Sequence, residues 1–309
     1  MRKVVNRTHV EGYLYQHTLE LKESGPNSKN PGTKFISGNI EIATDDARLN
    51  IVPVHFTYVT ATTAAGKENA TFGTLMNIIN GVIPCVMKDG ADKAGMVRCD
   101  SAIGLNEFYS DRSGKEELVS VKRNEGGFVH AAASLDEDEN NRNTFECDIV
   151  ITNVRRIDAD EERNIEEKVI VKGAIFDFRN SLLPVELSVV NPNAMNYFEG
   201  LEASPKNPVF TKVKGRQISK VIVRKVEEEG AFGTEIREVR NTQKDFVIIW
   251  ALKEPYLWDD ESTITAAEMT KFMAEREVAL ADMKARQDEY KASKGNAINP
   301  APANGAFNF

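Results

Sequence analysis

The chain has 309 residues, a formal net charge of −8 and a hydrophobic content of 41%. This length suits two domains of about 100–150 residues better than one small β domain. There is no signal-peptide pattern and no run of about 18 apolar residues, so we expect a cytoplasmic protein outside the membrane. The acidic balance argues against a basic duplex-DNA binder, but it leaves room for single-strand binding through a local basic groove.

Residues that could support catalysis or bind a metal are sparse. Cys85, Cys99 and Cys147 are widely spaced and fit buried small hydrophobes in a reducing cytosol better than disulfides or zinc ligands. The four histidines lack the HxxxH and HExxH spacings of zinc sites. No phosphate-binding loop or nucleophile elbow occurs. The sequence therefore predicts a non-enzymatic protein without a metal or other cofactor.

The first half of the chain predicts five strands and one helix. Apolar alternation and turn residues place the strands at 12–21, 34–44, 51–60, 96–105 and 118–132, with a bulge at Gly126-Gly127 in the last. Between the third and fourth strands, Phe72, Leu75 and Ile79 recur at helical spacing. The order strand–strand–strand–helix–strand–strand is that of the OB fold, a five-stranded Greek-key barrel.

The second half predicts the same order after a charged linker at 136–142. Its strands are expected at 144–154, 168–178, 183–190, 209–223 and 246–252, with a short helix at 193–201 and an inserted loop or hairpin at 226–240. The fold class is therefore mainly β, with two tandem OB barrels. We expect the first barrel within residues 1–135 and the second within residues 143–258.

A C-terminal helix is expected to follow the second barrel, within residues 262–294. Thr265 and Glu268 form the capping-box pattern that begins a helix. Its thin apolar stripe favours packing on the second barrel or against another copy of the chain. Residues 295–309 are rich in Asn, Ala and Pro, and we expect a flexible tail there.

A short pattern occurs in both halves and supports a duplication. Residues 35–58 and 170–189 each contain a strand glycine followed two residues later by isoleucine, and then a Pro-Val pair that begins the next strand. Aligning the copies pairs Gly38 with Gly173. We expect these glycines to superpose and the halves to form separate barrels rather than one continuous sheet.

The repeat also predicts which side chains face outward. With Ile40 and Ile175 inside the barrels, the period of two turns Lys172, Phe176 and Phe178 outward. Two exposed phenylalanines beside a lysine suit base stacking on the ligand-binding strands of an OB barrel. The alternative is that both rings lie under the C-terminal helix or under the 226–240 insertion.

Basic and aromatic residues elsewhere complete the candidate surface. Lys212, Lys214, Arg216 and Lys220 share one phase of a strand, which predicts either a basic row that contacts phosphates or an ordinary solvated edge. In the first barrel the candidates lie on the first strand, beside the first hairpin loop and at the end of the fifth strand: Tyr13, Tyr15, Lys29, Lys34, Lys122 and Arg123.

The segments GYLYQHTLEL, FISGNIEIAT and NIVPVHFTYV and the helix before strand four resemble the tandem OB-fold single-stranded DNA-binding proteins of bacteriophages and mobile elements. The resemblance covers residues 6–133 best. It implies a protein that coats single-stranded DNA during replication or recombination, in the host cytoplasm if a phage encodes it. The final residues are apolar but not acidic, unlike the partner-recruiting tip of the bacterial relatives.

Two alternatives to single-stranded DNA binding remain open at this point. RNA cannot be separated from DNA by sequence, because stacking and phosphate contacts serve both. An adaptor whose OB barrels bind other proteins of a phage or replication assembly is the alternative function, and the acidic net charge favours it. The C-terminal helix or tail is a further candidate contact for replication proteins.

Overall fold

The computed structural model describes residues 4–112, 114–160, 165–230, 233–258 and 264–295. Most of these residues lie in strands. The strands are β1 (Asn6–His17), β2 (Glu20–Glu23), β3 (Lys34–Ala43), β4 (Ile51–Thr60), β5 (Met96–Ser110), β6 (Glu117–Ala131), β7 (Asn143–Ile157), β8 (Lys168–Phe176), β9 (Leu182–Val189), β10 (Val209–Gly230) and β11 (Gly233–Ala251). The helices are α1 (Ala70–Ile79), α2 (Val86–Asp89), α3 (Pro192–Gly200) and α4 (Ala266–Gly295), and a 3₁₀ turn spans Glu139–Asn141.

Five strands of the first half close into a ring. β1 pairs with β3, β3 with β4, β4 in parallel with β6, β6 with β5, and β5 returns to β1. The helix α1 lies between β4 and β5, where Asn69 caps its N-terminus. This is the connectivity of an OB barrel, here called the first barrel. The predicted first strand is divided in two: β1 ends at His17, and the separate short strand β2 forms the predicted hairpin with β3.

The second half closes in the same way. β7 pairs with β8, β8 with β9, β9 in parallel with β11, β11 with β10, and β10 with β7. The helix α3 takes the place of α1, and the predicted hairpin at 226–240 is the outer end of the long β10–β11 pair. These strands form the second barrel, so the predicted fold class is confirmed.

The expectation of two separate sheets is wrong. β1 also pairs with β7, which joins all eleven strands into one sheet although each half still closes on itself. Thr8 lies opposite Phe145 at the centre of this pairing. Bulges follow at Leu14 in β1 and at Ile151 in β7, at equal distances from that centre. The two barrels are therefore related by an approximate two-fold axis between Thr8 and Phe145.

This symmetry also corrects the alignment of the two copies. Leu14 pairs with Ile42, and its counterpart Ile151 pairs with Gly173, so Gly173 occupies the place of Ile42 and not that of Gly38. Gly38 lies four residues earlier, at a bulge where φ is +132° and a Cβ would meet the Thr18 carbonyl oxygen at 2.3 Å. The predicted alignment of the two copies was wrong by four residues. Because four is an even number, it still assigned the inward and outward side chains correctly.

Each barrel encloses its own apolar core. The interior of the first barrel contains Ile40, Val54 and Phe56 and is closed from below by Leu75 of α1. The second interior is built in the same way and is closed by α3. Cys85, Cys99 and Cys147 are buried free thiols, as the sequence predicted. Burial raises the pKa of the Cys99 thiol to about 12, with a smaller contribution from Asp100.

The helix α4 begins with the predicted capping box. The Thr265 backbone N–H donates to Glu268 Oε2 at 2.9 Å, and the Glu268 N–H donates to Thr265 Oγ1 at 3.2 Å. Its apolar residues Met269 and Phe272 pack on the outside of the second barrel, which confirms the structural interpretation of the helix.

The outer part of the β5–β6 hairpin reaches from the first barrel to α4. Arg276 Nη2 donates to Glu107 Oε1 at 2.5 Å, and Gln287 forms two hydrogen bonds with the backbone of Tyr109. The helix therefore connects the second barrel to a hairpin of the first.

Several strand boundaries differ from the sequence prediction. The first strand begins at Asn6 rather than at residue 12, because its N-terminal half pairs with β7 and β5, which no local pattern reveals. The predicted tail lies outside the described residues beyond Gly295. Among the described helices, none has the length and apolar character needed to cross a membrane.

Candidate nucleic-acid interface

The outward face of β8 is covered rather than open. Phe176 does point away from the barrel interior, as predicted, but its exposed fraction is 0%. The ring packs edge-on against Phe272 of α4, with centroids 5.7 Å apart, in a cluster with Phe210 and Ile264. The proposed stacking role of Phe176 is therefore corrected in favour of the alternative, because α4 and the segment before it occupy this face.

The two neighbouring candidates on this side of the second barrel remain accessible. Phe178 lies in the turn after β8, is 85% exposed, and has the Arg179 guanidinium 5.0 Å from its ring centre. Lys172 is exposed, and its ammonium lies 3.8 Å from the Glu186 carboxylate. Binding of nucleic acid by these two residues stays a prediction.

The basic row on β10 is largely neutralised by β7. Lys212 lies 3.5 Å from Glu146 and 4.0 Å from Asp148, while Lys214 lies over the Trp250 ring at 5.0 Å. Burial alone would raise the pKa of Glu146, but Arg7 and the two lysines outweigh it and hold that pKa below its usual value. A carboxylate that stays ionised beside these cations reduces their attraction for phosphate.

Arg216 and Lys220 are the other two residues predicted for this row. Arg216 donates to the Asn140 side chain of the linker, and the side chain of Lys220 lies outside the described part of the chain. The predicted row therefore lies on β10, but among its described side chains only Lys214 exposes its cation.

Lys122 is not available to a ligand. Its ammonium donates to the Glu186 carbonyl oxygen of the second barrel and lies 5.5 Å from the centre of the Phe246 ring. Burial lowers the pKa of Lys122, and the nearby carboxylates of Asp245 and Glu186 oppose that effect. The prediction that Lys122 contacts nucleic acid is corrected, because the β5–β6 hairpin carries it into the contact between the barrels.

The outer side of β3 and β4 in the first barrel carries an accessible aromatic pair. Side chains of β3 alternate, so Ile36 is buried inside while Phe35 faces outward. The register shift between β3 and β4 brings Tyr58 to the same side, although Phe56, two residues earlier, is buried inside. The Phe35 and Tyr58 rings are stacked with centroids 4.4 Å apart and planes inclined by 32°. Tyr58 is 47% exposed and Phe35 is half-buried. Strands two and three of an OB barrel form its usual ligand-binding face.

Lysines from the first hairpin lie at the same end of this face. Lys34 directly precedes Phe35, and Lys22 of β2 is the strand partner of Phe35. Lys29 lies in the loop that joins β2 to β3 and is exposed. Within the described part of the chain, neither Lys29 nor Lys34 has an ion-pair partner. The aromatic pair is thus bordered by cations, in the place that the sequence analysis assigned to them.

The two predicted tyrosines lie elsewhere on the first barrel. Tyr13 pairs with Ala43, at the opposite end of β3 from Phe35, and its ring is covered by Arg48 at 4.8 Å. Tyr15 is half-buried in the β1 bulge. Both stay predictions as binding residues, but neither belongs to the stacked pair.

A polar cluster lies on the same face, next to the aromatic pair. His55 Nδ1 and Asn39 Oδ1 are 2.7 Å apart, and Arg123 Nη2 donates to Glu125 Oε1 at 2.9 Å. Thr57 Oγ1 donates to the same Glu125 oxygen at 3.2 Å. Burial lowers the pKa of His55, and the charge of Arg123 lowers it further against the opposing effect of Glu125. His55 is therefore neutral near pH 7.

A second surface spans the two-fold axis. A groove of about 670 Å³ is lined by Arg7, Thr8, His9, Asp100, Thr144, Phe145, Glu146, Lys214, Gly215 and Ile249. Phe128 and Trp250 are the exposed strand partners of Asp100 and Lys214, in positions that the two-fold axis relates. The charges inside the groove are mixed, since His9 Nδ1 lies 2.6 Å from Asp100 and Arg7 Nη2 lies 2.5 Å from Glu146. This surface is less suited to a phosphate backbone than the lysine-bordered face.

Sequence reasoning missed the residues that form the accessible face. With Ile40 inside the barrel, the period of two turns Phe35 outward, so the argument used for the second barrel would have found it. Tyr58 could not be placed this way, because β3 and β4 shift register between Ile36 and Gly38. Among the described residues, no three His, Cys, Asp or Glu side chains come together as a metal ion requires.

Comparison with known proteins identifies a family. The YorF family model matches residues 4–286, so the chain belongs to the YorF family. No curated protein matches the chain. Among solved structures, a deletion mutant of the single-stranded DNA binding protein from Thermus aquaticus is similar to it, with 11% identity and a TM-score of 0.44. That similarity covers 85% of this chain and 99% of the other.

Proposed function

We propose that this protein binds single-stranded DNA without catalysis, through the β3–β4 face of its first barrel, and coats the strand during replication or recombination. The observation that carries the proposal is the accessible Phe35–Tyr58 stack beside Lys29 and Lys34. Every base has a π-face, so an aromatic platform bordered by cations can bind a strand with its bases splayed out. The net charge of −8 is compatible with this, because only the local potential at the face acts on the ligand.

We propose no nucleic-acid face on the second barrel. The outer side of its strand β8 at Phe176 is filled by Phe272, Ile264 and neighbouring residues of the same chain. This packing favours the alternative function, a protein-binding adaptor, because the outer side of one barrel already packs against polypeptide. Single-stranded RNA is a third ligand that the same stacking would accept.

A titration with labelled oligonucleotides tests the proposal. We expect oligo-dT to bind more tightly than duplex DNA, with an affinity that falls as salt rises, and oligo-rU serves as the RNA comparison. Phe35→Ala and Tyr58→Ala should each weaken oligo-dT binding, because a lost base stack costs about 1–3 kcal/mol. Phe128→Ala is the matched control, since Phe128 is 75% exposed but lies outside this face.

Two results would count against the proposal. If both aromatic variants bind oligo-dT with wild-type affinity, the β3–β4 face is not the binding site. Equal binding of duplex and single strands, or no binding at low salt, would favour the adaptor. Circular dichroism of each variant separates a loss of binding from a loss of folding.

A further inference from the structure

The polar cluster on the first barrel is a poor phosphate site and a good base-edge site. Glu125 is the strand partner of His55 and places a carboxylate beside the β3–β4 face, where it would repel a phosphate. The Glu125 side chain packs on Gly104, which leaves room for it. A Cβ at Gly104 would come within 2.4 Å of Glu125 Oε2. Thr57 and Arg123 hold Oε1 from the sides.

Unused hydrogen-bonding capacity remains in this cluster. Oε1 of Glu125 accepts from Thr57 and Arg123, whereas Oε2 has no hydrogen-bond partner among the described residues. The Arg123 guanidinium donates to Glu125 through Nη2, whereas its Nη1 has no hydrogen-bond partner among the described residues. The face therefore offers an acceptor and a donor side by side. Thr57 is the chain neighbour of Tyr58, so both lie beside the aromatic pair.

Guanine is the base that matches this arrangement best. Its Watson–Crick edge presents two N–H donors, at N1 and N2, next to the O6 acceptor. The free Oε2 of Glu125 has two lone pairs and can accept from both donors, and the Arg123 guanidinium can donate to O6. Adenine and cytosine each present a single amino donor on that edge, and thymine presents a single ring N–H between two acceptors.

We propose that Glu125 and Arg123 form a base-reading subsite that makes the first barrel prefer guanine in a single strand. A base stacked on the aromatic pair leaves its neighbour in the strand over the cluster, with its edge toward Glu125. The stack supplies affinity for any base, and the cluster adds a preference at one position. The inference rests on the proposed single-strand binding and refines it.

Competition binding with a set of oligonucleotides tests the subsite. The set is a 15-mer of thymidine and its versions with guanine, adenine, cytosine or hypoxanthine at the central position, since hypoxanthine lacks the N2 amino group of guanine. One guanine per strand avoids four-stranded assemblies. We expect the guanine version to bind about tenfold more tightly than the thymidine strand. The hypoxanthine version should lose most of that gain.

Two isosteric variants separate base reading from charge. Glu125→Gln should abolish the guanine preference. Glu41→Gln removes one negative charge from the same face, where the Glu41 carboxylate accepts from Gln16 at 2.8 Å, and should keep the preference. It should raise the affinity for all strands alike.

Three outcomes are decisive. Equal wild-type affinity for all five strands would overturn the subsite while leaving single-strand binding intact. A guanine preference that survives in Glu125→Gln would assign it to other residues and would also overturn the subsite. No binding of any strand would overturn both the subsite and the proposed function.

Discussion

Phe176 and Phe178 lie two residues apart, and their replacement by alanine should have opposite consequences. Phe176 is fully buried between β8 and α4, so Phe176→Ala removes a core ring together with its edge contact to Phe272. Core Phe→Ala replacements cost about 3–5 kcal/mol, which includes the cavity left behind. Phe178 is 85% exposed, so its replacement should change the free energy of unfolding by no more than about 0.5 kcal/mol.

Urea unfolding measures this difference directly. Trp258 packs against the cluster that contains Phe176, so its fluorescence reports on the contact between α4 and the second barrel. We expect a large fall in the unfolding midpoint for Phe176→Ala and a wild-type midpoint for Phe178→Ala. Folded Phe176→Ala should still bind oligo-dT, because the proposed face is on the other barrel. Equal midpoints for the two variants would refute the assignment of α4 as a fixed cover.

Arg276→Ala should destabilise the protein by about 3–5 kcal/mol, because it leaves the nearly buried Glu107 carboxylate without its partner. Lys271→Ala, which removes an exposed pair on the same helix, is the control and should stay within about 0.5 kcal/mol in the same urea assay. His55 should titrate below its usual pKa of 6.5 in an NMR titration, because burial and Arg123 disfavour its charged form. Its contribution to stability is full above pH 6.5 and is lost as the pH falls below that value, since the unfolded chain then binds the proton more readily. Wild-type stability relative to His55→Gln should therefore rise from pH 5 to pH 7, and a flat difference would contradict the shift.

Local sequence signals were enough to predict the order and type of the elements. Alternation of apolar residues predicted Ile51–Thr60 to the residue, and helical spacing of apolar residues predicted α1. The capping box at Thr265 located the start of α4. These signals are local, because a strand or helix end is set by the few residues that repeat or cap it. The inward and outward phases followed from the same period of two, even though the glycine alignment was four residues out of register.

Which outward side chains are accessible depends on the tertiary fold. Phe176 of β8 is covered because α4 packs over it, whereas Phe35 of β3 has no helix packed on it among the described residues. The pairing of β1 with β7, which makes one sheet of two barrels, joins strands that lie far apart in the chain. Glu125 likewise meets Thr57 and His55 because β6 lies in parallel beside β4. Contacts between residues far apart in the chain leave no periodic signal, so a binding face can be proposed from sequence but its accessibility requires the fold.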